Sequence, residues 1–201
     1  MIEAIVLAAG LATRMGAIKP LIPIGGEPSL AAVLRRIAAA EIAPPTVVLG
    51  TASAAAIETA VDLGGCTVIR NDDPESGMGR SLRLGLDATL PAATGVLIFH
   101  ADMPFLRSET IRAVLRAATE GATIAAPTYR GTRGFPVFFS RSCFSELRDS
   151  LSGDAGGRAY IEAHRDHLAA IPVDDPGCVY DIDRPGDLAA WEGGPVCTTG
   201  A

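Results

Sequence analysis

The chain has 201 residues, 48% of them hydrophobic, a length and composition typical of one compact α/β domain. Its formal net charge of -6 excludes a general nucleic-acid or membrane-surface binder, because such proteins depend on a basic face. The four cysteines lie far apart without CxxC or Cys/His spacing, so neither a zinc site nor a disulfide framework is predicted.

The first predicted element is a buried strand at 3–8, a short apolar run closed by Gly10. No basic residue precedes this run, and IVLAAGLA is too short to span a bilayer, so neither a signal peptide nor a membrane span is predicted. We therefore expect a cytoplasmic protein. Strands and helices then alternate, as in βαβ units. Helices are predicted at 29–42 and 53–61, and strands at 46–49 and 66–69.

The second half of the chain continues this alternation. The polar loop NDDPESGMG precedes a short helix, and a central strand at 95–99 is followed directly by HADMP. The segment TYRGTRGFPVFF has glycines and alternating aromatic residues, which predict an antiparallel hairpin at the edge of the sheet. Further strands are predicted at 123–126 and 169–173, and helices at 80–88, 108–119 with Ser108 as N-cap, 142–151 and 157–167.

The loop after the first strand contains the one lysine of a chain that otherwise has sixteen arginines. On composition alone, coding bias towards arginine explains a single lysine as well as a functional role does. The position of Lys19 favours a function, because Gly10, Arg14 and Gly16 precede it in the same loop. Together they offer flexible backbone N–H groups and two cations to a phosphate. GxGxxG is absent, and Pro20 takes the place of the Ser or Thr of a Walker P-loop, so we predict another kind of phosphate loop.

Acidic side chains are predicted to lie opposite this loop. Asp102 follows the strand at 95–99, at the carboxyl end where open α/β sheets bind ligands. Asp181 and Asp183 are two residues apart and share one face if their segment is extended. One or two carboxylates suffice for Mg²⁺, which keeps several waters and binds substrate phosphates. Two alternatives stay open: Asp102 as a turn residue, and Asp183 as the start of a helix. His100 is expected to be structural.

Six motifs follow one another along the chain: LAAG with Arg14-Met15-Gly16 and Lys19, then Asn71 with GMGRSLRLGL, HADMP, RGFPVFF, SGDAGGR and DIDRPGDL. In this order they resemble the MobA/MocA-like nucleotidyltransferases over nearly the whole chain, and most closely the molybdenum cofactor cytidylyltransferase subgroup. The resemblance implies a three-layer α/β/α Rossmann-like nucleotidyltransferase (GT-A-like) fold with a mostly parallel central sheet and an antiparallel edge hairpin. It also implies Mg-dependent transfer of CMP from CTP to the phosphate of molybdopterin, with release of pyrophosphate.

The resemblance also assigns site residues, motif by motif. Catalysis is assigned to Arg14, Lys19 and Asp102, and the metal, Mg²⁺ or Mn²⁺, to Asp102, Asp181 and Asp183. The nucleotide is expected at Leu7, Ala8, Ala9, Gly10, Arg14, Lys19, Asn71, Gly77 and Ser81. The acceptor is expected at Arg133, Gly134, Phe135, Asp154 and Arg158. LAAG rather than LAGG accompanies pyrimidine use in the family, so Ala9 favours CTP.

Two motifs depart from the family pattern. Phe135 replaces the His of GHPV, so a hydrogen-bonding side chain is lost at this position. The phenyl ring of Phe135 either stacks on the pterin or belongs to the core. Arg184 and Gly186 replace the Thr and Glu of DIDTPED, and a Thr N-cap is thereby lost.

Two alternatives to cytidylyl transfer stay open. One is guanylyl or other NTP transfer to molybdopterin or to a sugar or alcohol phosphate, and the other is a non-catalytic carrier of the molybdenum cofactor. We expect residues 1–192 to form a single nucleotidyltransferase domain and 193–201 to form a flexible C-terminal tail. The expected partners are CTP, molybdopterin and, transiently, a recipient molybdoenzyme or its chaperone, with neither nucleic acid nor membrane.

Overall fold

The described part of the chain, residues 1–10, 18–151, 153, 157–183 and 185–193 of a computed structural model, forms ten strands and seven α-helices. The strands are β1 (Ile2–Ala8), β2 (Pro23–Ile24), β3 (Glu27–Pro28), β4 (Thr46–Gly50), β5 (Thr67–Asn71), β6 (Gly95–His100), β7 (Ile124–Tyr129), β8 (Thr132–Arg133), β9 (Val137–Ser140) and β10 (Leu168–Pro172). The α-helices are α1 (Ser29–Ala39), α2 (Thr51–Ala60), α3 (Met78–Asp87), α4 (Ser108–Thr119), α5 (Phe144–Ser150), α6 (Arg158–Ala163) and α7 (Pro185–Gly193).

Eight of these strands form one sheet, in the order β10-β7-β9-β6-β1-β4-β5 with β8 paired to β7. β9 is antiparallel to both of its neighbours and β8 is antiparallel to β7, whereas the other strands are parallel to one another. The predicted, mostly parallel sheet with an antiparallel hairpin is therefore confirmed. β7 and β8 form that hairpin, and the chain then returns through β9, which lies inside the sheet between β6 and β7.

The sheet is covered on both faces by helices, which confirms the predicted three-layer α/β/α fold. Successive residues of a strand point to opposite faces, so in β1 Val6 lies in one core cluster and Ile5 lies in the other. Buried residues of α1, α2 and α4 pack on the face of Val6, and those of α3, α5 and α6 pack on the face of Ile5. Burial on both faces explains why β1, β4 and β6 are almost continuous apolar runs.

Several element boundaries differ from the prediction. α1 ends at Ala39 rather than at 42, and Glu41 takes a left-handed conformation with φ of 62°. The helix predicted at 142–151 is a 3₁₀ helix, Arg141–Cys143, followed by α5. The helix predicted at 157–167 is divided into α6 and a 3₁₀ helix, Arg165–His167. The small antiparallel pair β2–β3 was not predicted. Within the described ranges, every helix is too short or too polar to span a lipid bilayer.

The start of α4 is capped by a distant residue rather than by Ser108, which is already the first residue of the helix. Asp175, only 2% exposed, accepts hydrogen bonds from the backbone N–H of Arg107 at 2.9 Å and from the hydroxyl of Thr110 at 2.6 Å. It also accepts from the backbone N–H of Gly177 at 2.9 Å. This buried carboxylate fixes the C-terminal segment against α4 and so sets the path of the acidic motif that follows.

Candidate active site

The carboxyl ends of the neighbouring parallel strands β1 and β6 form the centre of the candidate site. Leu7 lies beside His100 in the register, and the backbone N–H of Ala101 donates to the carbonyl of Leu7 at 3.1 Å. The segments that leave the two strands therefore lie side by side, at the edge where open α/β sheets bind ligands. They border a cavity of about 510 Å³, which is in the range of small-molecule sites.

This first cavity is lined by both strand ends, by the segment at 19–20 and by the loop before α3. The lining residues are Leu7, Ala8, Ala9, Gly10, Lys19, Pro20, Pro74, Glu75, Gly77, Met78, Ser81, His100, Ala101 and Asp102. All of the described residues predicted to contact the nucleotide are among them except Asn71. The roles assigned to these residues stay predictions, but the structure brings the residues to one place.

Lys19 is held at the cavity by a short 3₁₀ helix, Lys19–Leu21, with Pro20 in its first turn. The hydroxyl of Ser29, a buried residue at the start of α1, donates to the carbonyl of Ala101 at 2.5 Å and also lies 3.3 Å from the carbonyl of Lys19. One buried hydroxyl thus joins the lysine segment to the end of β6. The lysine is positioned by backbone that is itself fixed.

The three predicted metal ligands, Asp102, Asp181 and Asp183, lie together. One carboxylate oxygen of each lies within 4.8 Å of the others. The backbone N–H of Ile182 donates to the carbonyl of Asp102 at 3.0 Å, and Ile182 is only 1% exposed. Because Ile182 points into the core, its two acidic neighbours point to the opposite side, as the extended segment predicts.

Asp183 was also considered as the residue that starts a helix, and the helix that follows it is α7. Asp187, in the first turn of α7, accepts a hydrogen bond from the backbone N–H of Asp183 at 2.8 Å. Asp187 therefore supplies the acidic group that favours a helix N-terminus. The side chain of Asp183 contacts Lys19.

The ammonium of Lys19 lies among the acidic side chains. Its Nζ is 3.3 Å from Oδ2 of Asp102 and hydrogen-bonds to Oδ1 of Asp183. Burial opposes the charge of the ammonium, but the hydrogen bond to Asp183 and the charges of both carboxylates outweigh burial, so the pKa of Lys19 is raised. Lys19 is therefore positively charged at neutral pH.

The same group of acids fits a divalent cation. Burial and the charges of Asp183 and Asp102 raise the pKa of Asp181, an effect that the backbone hydrogen bond and Lys19 only partly offset. Crowded carboxylates of this kind are relieved by a nearby positive charge, and hard oxygen ligands suit Mg²⁺ or Mn²⁺. The ammonium of Lys19 is one positive charge beside three acidic side chains, so the group can accommodate a further cation.

The N-terminus of α3 forms the opposite wall of the first cavity. Gly77 precedes the helix with φ of 98°, a conformation that residues with a Cβ rarely adopt. Gly77, Met78 and Ser81 all line the cavity. The unpaired N–H groups and positive end of a helix favour an anionic or hydrogen-bonding ligand at such a wall.

Asn71 does not face the cavity. It is fully buried at the end of β5, and its amide donates to the hydroxyl of Ser81 at 2.9 Å. Its carbonyl oxygen accepts from the backbone N–H of Asp73 and from Nε of Arg80, both at 3.0 Å. This burial argues against the predicted contact of Asn71 with the nucleotide. Asn71 instead fixes the loop that carries Gly77 and orients Ser81.

A second, smaller cavity of about 110 Å³ adjoins the first. It is lined by Leu7, Met78, Leu82, Ile98, His100, Arg133, Phe135, Val137, Phe139, Gly157, Arg158 and Ile161. Three of the predicted acceptor residues, Arg133, Phe135 and Arg158, are among them. Burial, and the positive charges of Arg158 and Arg165, lower the pKa of Arg133, although Glu162 opposes this effect. Arg158 forms a surface ion pair with Glu162 at 2.9 Å.

Gly134 lies behind this cavity and has a structural reason to be glycine. A Cβ at position 134 would lie 2.2 Å from the carbonyl oxygen of Cys178, which is far below contact distance. The close approach lets the backbone N–H of Phe135 donate to that carbonyl at 2.7 Å, and Gly134 donates to Pro127 at 2.8 Å. The backbone bonds fix Phe135, which is joined to Pro136 by a cis peptide.

Two predicted site residues, Arg14 and Asp154, lie outside the described residues. Sequence reasoning also missed residues of the site. Ser29 and Asp175 act over long sequence distances, so no local pattern marks them. His100 was expected to be structural, although it lines both cavities. Burial lowers its pKa, and Lys19 adds to this, whereas the charges of Asp102 and Asp181 oppose it.

A protein-family model described as "MobA-like NTP transferase domain" matches residues 4–168. Among curated proteins, the purine catabolism protein PucB of Bacillus subtilis (strain 168) is 31% identical over 115 residues, which are 56% of this chain and 55% of PucB. The chain spans about half the length, or less, of the first curated relatives that it matches. The molybdenum cofactor cytidylyltransferase of Escherichia coli (strain K12) is 26% identical over 189 residues, 93% of each chain.

Solved structures resemble the fold over its full extent. Rv0371c from Mycobacterium tuberculosis H37Rv superposes with a TM-score of 0.84 at 30% identity, covering 96% of this chain and 98% of that one. A second structure of Rv0371c is a complex with manganese, with a TM-score of 0.80 at 31% identity and coverage of 94% and 96%. A manganese complex of a similar protein, together with the group of three acids in this chain, supports binding of a divalent metal.

Proposed function

Because the chain belongs to the family of MobA-like NTP transferase domains, we propose that it transfers CMP from CTP to the phosphate of molybdopterin and releases pyrophosphate. Membership supports nucleotidyl transfer as the reaction of this chain. The choice of CTP and molybdopterin is supported by the E. coli cytidylyltransferase, which aligns with 93% of the chain, and by Ala9 in the LAAG motif. We treat residues 1–192 as a single nucleotidyltransferase domain.

The observation that carries the proposal is the arrangement at the ends of β1 and β6. A lysine and three aspartates lie together there, and Lys19 and Asp102 line a cavity of about 510 Å³. A triphosphate needs cations to neutralise its charge, and the acids can hold a second cation beside the ammonium. A binding protein for a neutral ligand has no use for this combination of charges.

In the proposed reaction CTP occupies the first cavity, with its triphosphate near Lys19. An oxygen of the acceptor phosphate attacks the α-phosphorus in line. As this P–O bond forms, the bond from the α-phosphorus to the bridging oxygen breaks, and that oxygen leaves with pyrophosphate. The acceptor phosphate is already ionised, so the reaction needs no general base.

The chain's residues contribute by positioning and by charge. Lys19 places a compact positive charge beside the phosphates, where charge develops on the leaving group. Asp102, Asp181 and Asp183 would hold Mg²⁺ or Mn²⁺, which supplies neutralisation of the phosphate oxygens when bound. Arg14 is assigned to the triphosphate from the sequence motif alone.

The acceptor is proposed to bind in the second cavity. Leu7, Met78 and His100 line both cavities, so an acceptor there lies next to the nucleotide. Arg133 and Arg158 supply positive charge for an anionic acceptor. The cavity of about 110 Å³ is smaller than typical ligand sites, so it encloses part of the acceptor and leaves the remainder exposed.

The test is release of pyrophosphate by the purified protein with Mg²⁺, molybdopterin and each of CTP, GTP, ATP and UTP in parallel. We expect CTP to be used at least tenfold faster than the others. Asp102→Asn should lower the rate about 100-fold or more, since it removes a proposed metal ligand. The matched control is Asp87→Asn, which changes an exposed acid paired with Arg148 at the far end of α3.

Three outcomes contradict the proposal in different ways. Faster turnover of GTP or another NTP reassigns the nucleotide. Turnover with a sugar or alcohol phosphate and not with molybdopterin reassigns the acceptor. Binding of CTP without any turnover, unaffected by Asp102→Ala, indicates a carrier instead of an enzyme.

A further inference from the structure

His100 is a polar side chain in the wall between the two cavities. Of the described residues, three line both cavities, and two of them, Leu7 and Met78, are apolar. The position of His100 is fixed, because it is the last residue of β6 and pairs with Leu7 of β1 in the central sheet. A hydrogen-bonding group at this wall can reach a ligand at the junction of the two cavities.

The ring of His100 packs on an apolar neighbour. Its centroid is 4.2 Å from that of Phe135, with the ring planes inclined at 55°. Among the residues that the structure describes, neither ring nitrogen of His100 forms a hydrogen bond. Packing therefore orients the imidazole, while the described residues around it leave its ring nitrogens available to a ligand. In either neutral tautomer one nitrogen carries an N–H donor.

Within the described residues, the other polar side chains that line the second cavity are those of two arginines. The side chain of Arg158 is 75% exposed, and Arg133 is half-buried. Apart from these two arginines and His100, the described residues that line the second cavity are apolar. A phosphate that enters this cavity and approaches the nucleotide therefore passes from the arginines to a wall where His100 offers the hydrogen bond.

We propose that the imidazole N–H of His100 binds an oxygen of the acceptor phosphate and holds that phosphate at the junction of the two cavities, facing the α-phosphorus. His100 thus positions the nucleophile. This inference rests on the proposed function, because it assigns the phosphate acceptor to the second cavity. It adds a residue of the β6 strand end to the acceptor-binding residues predicted from the sequence.

The test exchanges the two contacting rings. The variants are His100→Phe, Phe135→His and the double variant with both changes, which keeps one imidazole and one phenyl ring in the same pair. Steady-state kinetics are measured with Mg²⁺, with CTP and molybdopterin varied in turn, and each variant's Tm is recorded. Loss of a hydrogen bond to a charged group predicts that kcat/KM for molybdopterin falls about 10- to 100-fold in His100→Phe. The KM for CTP should change less than about twofold. The double variant keeps the ring pair but moves the imidazole to position 135, which lines the second cavity and not the first, so it should keep most of the loss.

The outcomes separate this inference from the proposed function. Wild-type protein that does not turn over CTP and molybdopterin refutes the proposed function, and the inference with it. Wild-type activity with an unchanged kcat/KM for molybdopterin in His100→Phe overturns the inference alone. A loss that the double variant recovers also overturns it, since packing of the ring pair then accounts for the effect. If His100→Phe does not fold, His100→Leu and His100→Gln replace it, and equal kcat/KM values in these two overturn the inference.

Discussion

Removing the ammonium of Lys19 separates a role in catalysis from a role in stability. In Lys19→Met the apolar stem of the side chain is kept and the charge is lost. The ammonium contacts Asp102 and Asp183, so its loss leaves three carboxylates with oxygens within 4.8 Å of one another. At that separation two like charges repel by about 1 kcal/mol in a water-like medium and by about 3.5 kcal/mol at an effective dielectric of about 20.

The lower value applies to folding stability. The side chain of Asp183 is 53% exposed, and solvent screens an exposed pair, so we expect Lys19→Met to reduce the free energy of unfolding by about 1 kcal/mol. Turnover should fall much further, by about 100- to 1000-fold, because the charge acts on the developing pyrophosphate inside the cavity. These two values differ enough to distinguish the roles.

The assays are pyrophosphate release at saturating CTP with Mg²⁺ and urea unfolding of the metal-free protein. The matched control is Arg35→Met, which breaks the surface ion pair of Arg35 with Glu27 and should leave both quantities close to wild type. The reasoning is refuted if turnover of folded Lys19→Met falls less than about tenfold while the unfolding free energy falls by about 3 kcal/mol or more. Lys19 would then be a structural cation.

Three further predictions concern single residues. Asp181→Asn should raise the Tm of the metal-free protein at pH 7, because burial and acidic neighbours raise the pKa of this carboxyl and oppose its ionised form. Wild-type Asp181 takes up a proton as the pH falls, so the gain in Tm should shrink on acidification, and a gain independent of pH would contradict this cause. Asp175→Ala should lower the free energy of unfolding by about 2–3 kcal/mol, because the buried carboxylate that caps α4 is lost. Asp174→Ala, at the exposed neighbouring residue, should lower it by less than about 0.5 kcal/mol, and equal losses in urea unfolding would refute a capping role of Asp175. Gly134→Ala should cost about 1–3 kcal/mol in the same assay, since the new methyl group meets the carbonyl of Cys178, and an unchanged unfolding midpoint would contradict this.

The fold was largely predictable because its central strands carry a strong local signal. The runs of β1, β4 and β6 are apolar on both faces, which is typical of parallel strands between two layers of helices. The position of β9 between β6 and β7 was not predictable in this way. Its residues look the same in an edge hairpin and in the interior, and only long-range pairing with β6 decides between these positions. The limits of α1 and α5 likewise depend on contacts outside their own segments.

The candidate site was predicted in part, for a similar reason. The ends of adjacent parallel strands bring Asp102 to the same cavity as Ala9, Gly10 and Lys19, so these residues could be grouped from the sequence. Asn71 was assigned to the nucleotide through its motif, but the structure buries it against Ser81. Burial of a single polar side chain depends on long-range packing, which a motif does not reveal. His100 was expected to be structural, and the sequence around it does not reveal that its ring borders both cavities.

The most direct test of the account is a crystal structure of the protein with CTP and Mn²⁺, with the metal located by anomalous scattering. We predict that Mn²⁺ bonds directly to a carboxylate oxygen of Asp102 and to at least one of Asp181 and Asp183, with the triphosphate in the first cavity and Nζ of Lys19 on a phosphate oxygen. A metal bound elsewhere, with Asp102 still paired to Lys19 and the triphosphate outside the first cavity, would contradict the account.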